Sequence, residues 1–210
     1  MANPAIDPIR TALLVIDMQN DFLAPGAPIE AAAGREIIPA LQRLLARCRD
    51  KGLLIVFTAF VHRPGGSDVE ALWRRRRSPV REGRALVAGT TGVGFYPEIA
   101  PQPGDLIVEK HRYSAFFGTD LEILLRGKGV DTVIIGGVCT DLCCESTARD
   151  AMFRDYRVIF LSDGNATFEF PDLGFGAIPH QEAHRCALAR IAAFFGTVMS
   201  VEEVLARVGE

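Results

Sequence analysis

Short, uninterrupted apolar runs alternate with longer amphipathic stretches along this chain. The runs fall at Thr11–Ile16, Leu53–Thr58, Leu106–Val108, Thr132–Ile135, Arg157–Leu161 and Thr197–Met199. Runs of this length with no polar–apolar alternation predict strands covered on both faces. Between them, apolar residues recur at helical spacing, predicting helices over Arg35–Lys51, Leu121–Lys128, Leu142–Asp155, Pro179–Phe195 and Val201–Arg207. Gly52, Gly129 and Gly196 stand where helix C-caps are expected. Alternating strands and helices imply an α/β architecture of three layers, a central parallel sheet of about six strands with helices on both faces. With no repeat and no low-complexity linker, residues 1–210 read as one domain, residues 1–10 being a loose N-terminal arm. Two segments break the alternation, His62 to Thr91 and Ala166 to Pro179, both rich in glycine and proline. Long irregular segments inside a domain are commonly lids or binding loops.

Composition narrows the classes of function. A chain of 210 residues, 49% apolar, can bury a large core. A net charge of −3 argues against a nucleic-acid partner. The arginines at 74 to 77, with Arg81 and Arg84, are a local exception, read as a solvated helix face or as a contact for an anionic substrate or a second subunit. No apolar stretch approaches the roughly 20 residues of a membrane span. The 5 cysteines, an odd number, and a Met1–Arg10 segment without an apolar signal core predict free thiols and a cytoplasmic location. The first strand leads into Asp17-Met18-Gln19-Asn20 and not a glycine-rich phosphate loop, so dinucleotide binding is not expected. The Gly-x-Ser-x-Gly elbow of serine hydrolases is also missing.

The chemistry concentrates between Asp131 and Ala151. An apolar run reaches Gly136-Gly137, and a helix carrying Cys139, Cys143 and Cys144 near its start follows. A helix N-terminus offers unpaired N–H groups and the positive end of a dipole, which lower the pKa of a nearby thiol. Asp17 and Lys110 each stand just past another strand. Parallel strands bring their C-terminal ends to one edge of the sheet, so an acid, an ammonium and a thiol converge there. Read singly, Asp17 is a helix cap, Lys110 a solvated turn residue and each cysteine a small core residue. Read together, an acid, an ammonium and a thiol at one sheet edge mark a candidate reactive site.

The segments Asp17-Met18-Gln19-Asn20-Asp21-Phe22, Lys110 followed by Tyr113-Ser114-Ala115-Phe116-Phe117, and Gly137-Val138-Cys139-Thr140-Asp141-Leu142-Cys143 together resemble the isochorismatase-like cysteine hydrolase superfamily. The resemblance runs from about Thr11 to Val204, and is greatest toward ureidoacrylate amidohydrolases, biuret hydrolases and N-carbamoylsarcosine amidohydrolases. It implies a Rossmann-like fold and cleavage of a non-peptide C–N bond in a small amide, carbamoyl or ureido substrate, through a thioester-type intermediate. It assigns Cys143 as nucleophile, Asp17 as general base, Lys110 as the cation beside them, and the backbone N–H groups of Cys139 and Cys143 as the oxyanion cradle. It also implies a cis peptide at Val138–Cys139, no cofactor, no metal and a homo-oligomer, a dimer or tetramer. Phe22, Tyr113, Phe117 and His184 stand beside the motifs as candidate substrate contacts. Two related activities compete. A nicotinamidase-type amidase uses an Asp-x-His metal signature, which here reads Phe60-Val61-His62, leaving His62 as a surface or capping residue. An isochorismatase-type vinyl-ether hydrolase needs no thiol. A binding scaffold on the same fold would have no use for Asp17, Lys110 and Cys143 together.

Overall fold

The computed structural model describes residues 6–75 and 78–209. Strands β1 (Thr11–Ile16), β2 (Leu54–Phe60), β3 (Leu106–Lys110), β4 (Thr132–Val138), β5 (Arg157–Ala166) and β6 (Thr197–Met199) form one sheet in the order β3-β2-β1-β4-β5-β6. Every pairing is parallel. Every residue of β1 and β4 is buried, which is why neither shows a polar face in the sequence. The helices are α1 (Asn20–Leu23), α2 (Ile38–Asp50), α3 (Ala71–Arg75), α4 (Leu121–Gly127), α5 (Glu145–Met152), α6 (His180–Phe194) and α7 (Val201–Arg207). Helix α2 packs with α7, and α5 with α6, in the layers that cover the sheet. Side chains such as Leu13, Leu14, Phe57, Phe160 and Leu41 are fully buried between these layers. Each buried aliphatic or aromatic side chain contributes about 1.5–3 kcal/mol.

The strand order reverses direction between β1 and β4. At that reversal the connections leave to opposite sides, and a crevice opens beyond the strand ends. Close approach of the two strands depends on Gly137, whose φ is +127° and whose absent Cβ would lie 2.2 Å from the Ile16 carbonyl oxygen.

Several boundaries differ from the sequence reading. Strands β2, β3 and β4 run on to Phe60, Lys110 and Val138, so the polar residues near their ends still pair within the sheet. Strand β5 continues past Leu161 through Ser162-Asp163-Gly164-Asn165, a stretch that reads as a turn. It does so across an irregularity in its register with β4, where the Asn165 side-chain amide donates to the carbonyls of Ile135 (3.1 Å) and Leu161 (2.6 Å). Gly52 and Gly129 adopt the left-handed conformation of a C-cap. Gly196 does not; a side chain there would meet Val158 Cβ at 2.7 Å. The arm expected to be loose is fastened from Ile6 onward. Ile6 is buried and bridges to Val208, and the Arg10 side chain pairs with Asp131. Residues 1–5 lie outside the described residues, as do Arg76 and Arg77 of the arginine run. Arg81 and Arg84 are exposed, and Arg84 pairs with Glu82 at 2.6 Å. No helix among the described residues is long and apolar enough to cross a membrane.

The packing makes a prediction about alkaline stability. Burial pushes the Cys48 thiol from 9.0 up to about 12, against a smaller opposing pull from Arg49 and Arg47. Between those values the unfolded chain releases a proton that the folded chain keeps, so stability falls as pH rises through that window. The slope from this one thiol is at most about 1.4 kcal/mol per pH unit. Urea midpoints at pH 8 and pH 10 should show the loss, and Cys48→Ala should flatten the difference while lowering stability at both pH values.

Candidate active site

The three candidate reacting residues stand at the ends of three different strands. Asp17 follows β1, Lys110 closes β3 and Cys143 lies in the turn after β4. Lys110 pairs in register with Phe60 on β2, and Ile16 with both Thr58 and Gly137. The sheet therefore sets the separation of the three side chains. Asp17 and Lys110 are fully buried, and Cys143 is 3% exposed.

The Lys110 ammonium has three partners. It lies 2.8 Å from Asp17 Oδ2, donates to the Arg112 carbonyl at 3.0 Å and reaches Cys143 Sγ at 3.4 Å. It also stands 4.1 Å from the centre of the Phe60 ring. Burial alone would lower its pKa, but the Asp17 carboxylate and Cys143 outweigh burial and raise it, so the ammonium stays charged. The other Asp17 oxygen, Oδ1, accepts from the Thr58 hydroxyl at 2.6 Å, and Thr58 Oγ1 accepts from the Asp17 backbone N–H at 3.1 Å. Asp17 itself has φ +50°, an uncommon conformation for a residue with a side chain. These contacts fix the carboxylate before any ligand arrives.

The sequence reading expects a thiol acidified by its helix. The structure corrects this. Burial pushes the Cys143 thiol well up, the Lys110 ammonium offsets only part of that shift, and the Asp17 charge adds to it. The thiol is protonated at rest, so it needs a base to become a nucleophile.

The helix expected from Leu142 does not begin as a regular α-helix. Thr140–Cys144 form a wider, π-type turn in which the Cys144 N–H reaches back to the Cys139 carbonyl at 3.1 Å; α5 follows from Glu145. The Val138–Cys139 peptide is cis. Thr147 holds the turn from below, donating to the Cys143 carbonyl at 2.7 Å and accepting from the Ala115 N–H at 3.0 Å. It thereby links the thiol-bearing turn to the loop that follows Lys110.

A cavity of about 480 Å³ opens above the thiol. Cys139 and Cys143 line it, with Phe22, Phe60, Trp73, Tyr113, Phe168 and Phe170 among its walls. Of the four candidate substrate contacts, Phe22 and Tyr113 border this cavity, and Trp73 donates to the Tyr113 hydroxyl at 2.7 Å. Phe117 and His184 do not. Phe117 is 62% exposed, because the loop after β3 turns it outward. The His184 ring is tied to the Ser162 carbonyl through Nε2 (2.9 Å) and to the Thr140 hydroxyl through Nδ1 (2.9 Å). A carbonyl only accepts, so Nε2 carries the proton and Thr140 donates to Nδ1. Burial lowers the pKa of this ring, keeping it neutral. His184 braces the turn from its far side.

His62 is likewise not a surface residue. It is 2% exposed and lines the cavity with Glu70 and Trp73, two residues that sequence reasoning does not single out within the irregular segment after β2. Among the described residues no group of three or more histidine, cysteine or acidic side chains is arranged to hold a metal ion. Most of the motif after Asp17 is scaffolding. Gln19 donates from its side chain to the Phe60 (3.2 Å) and Val93 (2.8 Å) carbonyls and accepts from the Phe60 N–H (2.8 Å). Asp21 accepts from the Leu86 N–H at 2.6 Å. Together they hold the segment around 86–94 against the cavity.

The sequence pattern of the isochorismatase domain matches residues 11–203. Among solved structures, a cysteine hydrolase from Pseudomonas syringae pv. phaseolicola 1448A is 36% identical over 99% of this chain and 98% of its own, with a TM-score of 0.91. An isochorismatase-like hydrolase from Alkaliphilus metalliredigens is 34% identical over 94% of this chain and 98% of its own, at a TM-score of 0.75. An isochorismatase family protein from Desulfovibrio vulgaris subsp. vulgaris str. Hildenborough is 31% identical over 94% and 99%, at 0.79.

Proposed function

The chain belongs to the isochorismatase domain family, and on that premise we propose that it is a cysteine-dependent amidohydrolase acting on a non-peptide C–N bond of a small amide, carbamoyl or ureido substrate. The observation that carries this reading is the buried trio: Lys110 stands 2.8 Å from Asp17 and 3.4 Å from the Cys143 sulfur, at the edge of a largely apolar cavity. A vinyl-ether hydrolase has no need of a thiol beside a base and a cation. A binding scaffold has no reason to carry the desolvation cost of a buried ion pair at this place.

In the proposed reaction Asp17 removes the thiol proton as Cys143 Sγ attacks the substrate carbonyl carbon. The C–S bond forms while the C=O π-electrons move to oxygen. That oxyanion is received by the backbone N–H groups of Cys139 and Cys143. Lys110 stays charged throughout and offsets the negative charge shared by Asp17, sulfur and oxyanion. Collapse of the intermediate breaks the C–N bond, and Asp17 returns its proton to the departing nitrogen. Water then attacks the acyl carbon, giving its proton to Asp17; collapse breaks the C–S bond, the acid product leaves, and Asp17 returns the proton to sulfur, restoring the thiol. Positive charge comes from Lys110, so the scheme calls for neither metal nor cofactor.

The test is ammonia or amine release from biuret, N-carbamoyl amino acids, ureidoacrylate and nicotinamide, with mass spectrometry of acid-quenched enzyme. At least one substrate should be turned over with a transient acyl adduct on the peptide containing Cys143. Treatment with a chelator followed by dialysis should leave the rate unchanged. Activity lost on chelation and restored by one divalent ion would move the protein to the nicotinamidase type. We further propose that the molecule works in solution as a homo-oligomer, which sedimentation would show directly.

A further inference from the structure

We infer that the preferred substrates carry a positive charge remote from the scissile carbonyl, recognised by Glu70 and the aromatic wall of the cavity. This rests on the amidohydrolase reading only in taking Cys143 as the reacting end of the cavity.

The polar groups of that cavity do not suit an anion. No lysine or arginine is among the described residues that line it. Lys110 lies beneath, occupied by Asp17. The lining carboxylates are Glu30, Glu70 and Glu169. Glu30 is paired with Arg35 at 2.8 Å, and Glu169 is exposed. Glu70 is different. Its side chain is 18% exposed, and its Oε1 is buried with no hydrogen-bond partner. Arg112 comes no closer to that oxygen than 3.9 Å; its guanidinium donates to the Asp68 (2.9 Å) and His111 (2.5 Å) carbonyls and does not line the cavity.

His62 stands beside Glu70 in the same wall. It is 2% exposed and lines the same cavity, and its Nδ1 has no hydrogen-bond partner. It lies 3.8 Å from Glu70 Oε2 and 3.6 Å from Asp68 Oδ2, both beyond hydrogen-bond length. The Nδ1 edge of His62 faces Asp68 Oδ2, which is likewise without a hydrogen-bond partner, and its Nε2 edge faces Glu70 Oε2. Buried polar groups are normally paired, so the unpartnered Glu70 Oε1 in the cavity wall leaves room for a donor brought by the ligand. An ammonium or guanidinium supplies that donor. Burial lowers the His62 pKa despite the neighbouring acids, so the imidazole stays neutral and does not cancel Glu70.

The rest of the wall agrees. Phe22, Phe60, Trp73, Tyr113, Phe168 and Phe170 surround the space beside Glu70. Aromatic faces with an unpartnered carboxylate oxygen among them attract a cation.

The experiment uses charge-tagged thiol reagents, because they require no amide substrate. Full-length protein carrying Cys186→Ser, which removes the exposed thiol, is treated with the 2-(trimethylammonium)ethyl, 2-sulfonatoethyl and methyl methanethiosulfonates. Labelling of Cys143 is timed by peptide mass spectrometry and normalised to a free thiol. The cationic reagent should outpace the anionic one by about tenfold, and Glu70→Gln should reduce that ratio at least about threefold. Glu70→Asp should restore part of it, and the neutral reagent should react alike with all folded variants. A cation-to-anion ratio that Glu70→Gln leaves unchanged, in protein with a native melting temperature, overturns the proposal. A parallel assay compares kcat/KM for carbamoyl compounds of equal length ending in an ammonium or a carboxylate; preference for the carboxylate overturns it also. If no amide is hydrolysed but the labelling ratio responds to Glu70, the reaction assignment fails and this inference stands.

Discussion

Cys143→Ser is expected to lose turnover by about 10³-fold or more while the protein keeps its melting temperature within a few degrees. A serine hydroxyl fits where the thiol packs, beneath the cavity and against the Lys110 ammonium at 3.4 Å. What it lacks is acidity. Asp17 must already work against burial to deprotonate the thiol, whose pKa lies above its ordinary value. A hydroxyl is several units less acidic again. Cys139→Ala and Cys144→Ala separate the neighbouring thiols from the reaction. Cys139 borders the cavity and Cys144 does not. Neither side chain is given a step in the reaction, so both variants should retain activity, at some cost in packing. A dead Cys144→Ala beside an active Cys143→Ala would place the nucleophile one residue on. The rate of Cys143 alkylation in the free enzyme should also rise with pH above neutrality and not level off at mildly acidic pH.

Breaking the buried ion pair should give the second large effect, and here the pattern of three variants matters more than any one. Asp17→Asn removes the base and leaves a fully buried ammonium facing a neutral amide. Lys110→Met leaves the carboxylate without its cation. Each should cost about 3–5 kcal/mol in stability, since an unpaired buried charge is far worse than none. The double variant, Asp17→Asn with Lys110→Met, removes both charges and should recover most of that loss. Activity should follow another course, falling at least about 10²-fold in Asp17→Asn and staying low in the double variant. Melting temperature and single-turnover rate, measured on all four proteins, separate the structural role from the chemical one. A folded and fully active Asp17→Asn would remove the proposed base.

The sequence carries the sheet well and the site unevenly. Thr11–Ile16 and Thr197–Met199 are bounded at the same residues in sequence and structure, because hydrophobic residues end where the strands end. The C-terminal ends of β2, β3 and β4 were cut short, since the residues that finish them serve the site. Lys110 in particular looks like a turn residue, and only tertiary pairing with Phe60 and Asp17 makes a buried lysine tenable. The meeting of Asp17, Lys110 and the cysteine segment was legible, since parallel strands leave few alternatives. The raised pKa of Cys143 was not. Helix position is visible in a sequence, whereas burial at 3% exposure depends on what packs above it. The burial of His62, read from the sequence as a surface or capping residue, and the place of Glu70 and Trp73 in the cavity wall are hidden for a related reason. These residues lie in a segment whose break in periodicity marks it as a lid or binding loop, and it does line the cavity, but without periodicity nothing local shows which of its side chains face inward. His184 was read as a substrate contact because it stands near the motifs; its ring in fact meets Thr140 and the Ser162 carbonyl.

The separate strand origins of Asp17, Lys110 and Cys143 make the proposed catalysis a gauge of the sheet from β3 to β4. Proteins open most readily at their margins, and central strands separate only when the entire domain lets go. β1 and β4 are the two middle strands here, and β3 lies at one edge. On the proposed mechanism, fraying at the β6 edge can proceed without disturbing the trio, whereas detachment of β3 withdraws the lysine and would halt the reaction while the middle of the sheet still stands. The two margins of one sheet thus differ in what their loosening means: wear at one is harmless, and wear at the other is the first way for this molecule to stop working.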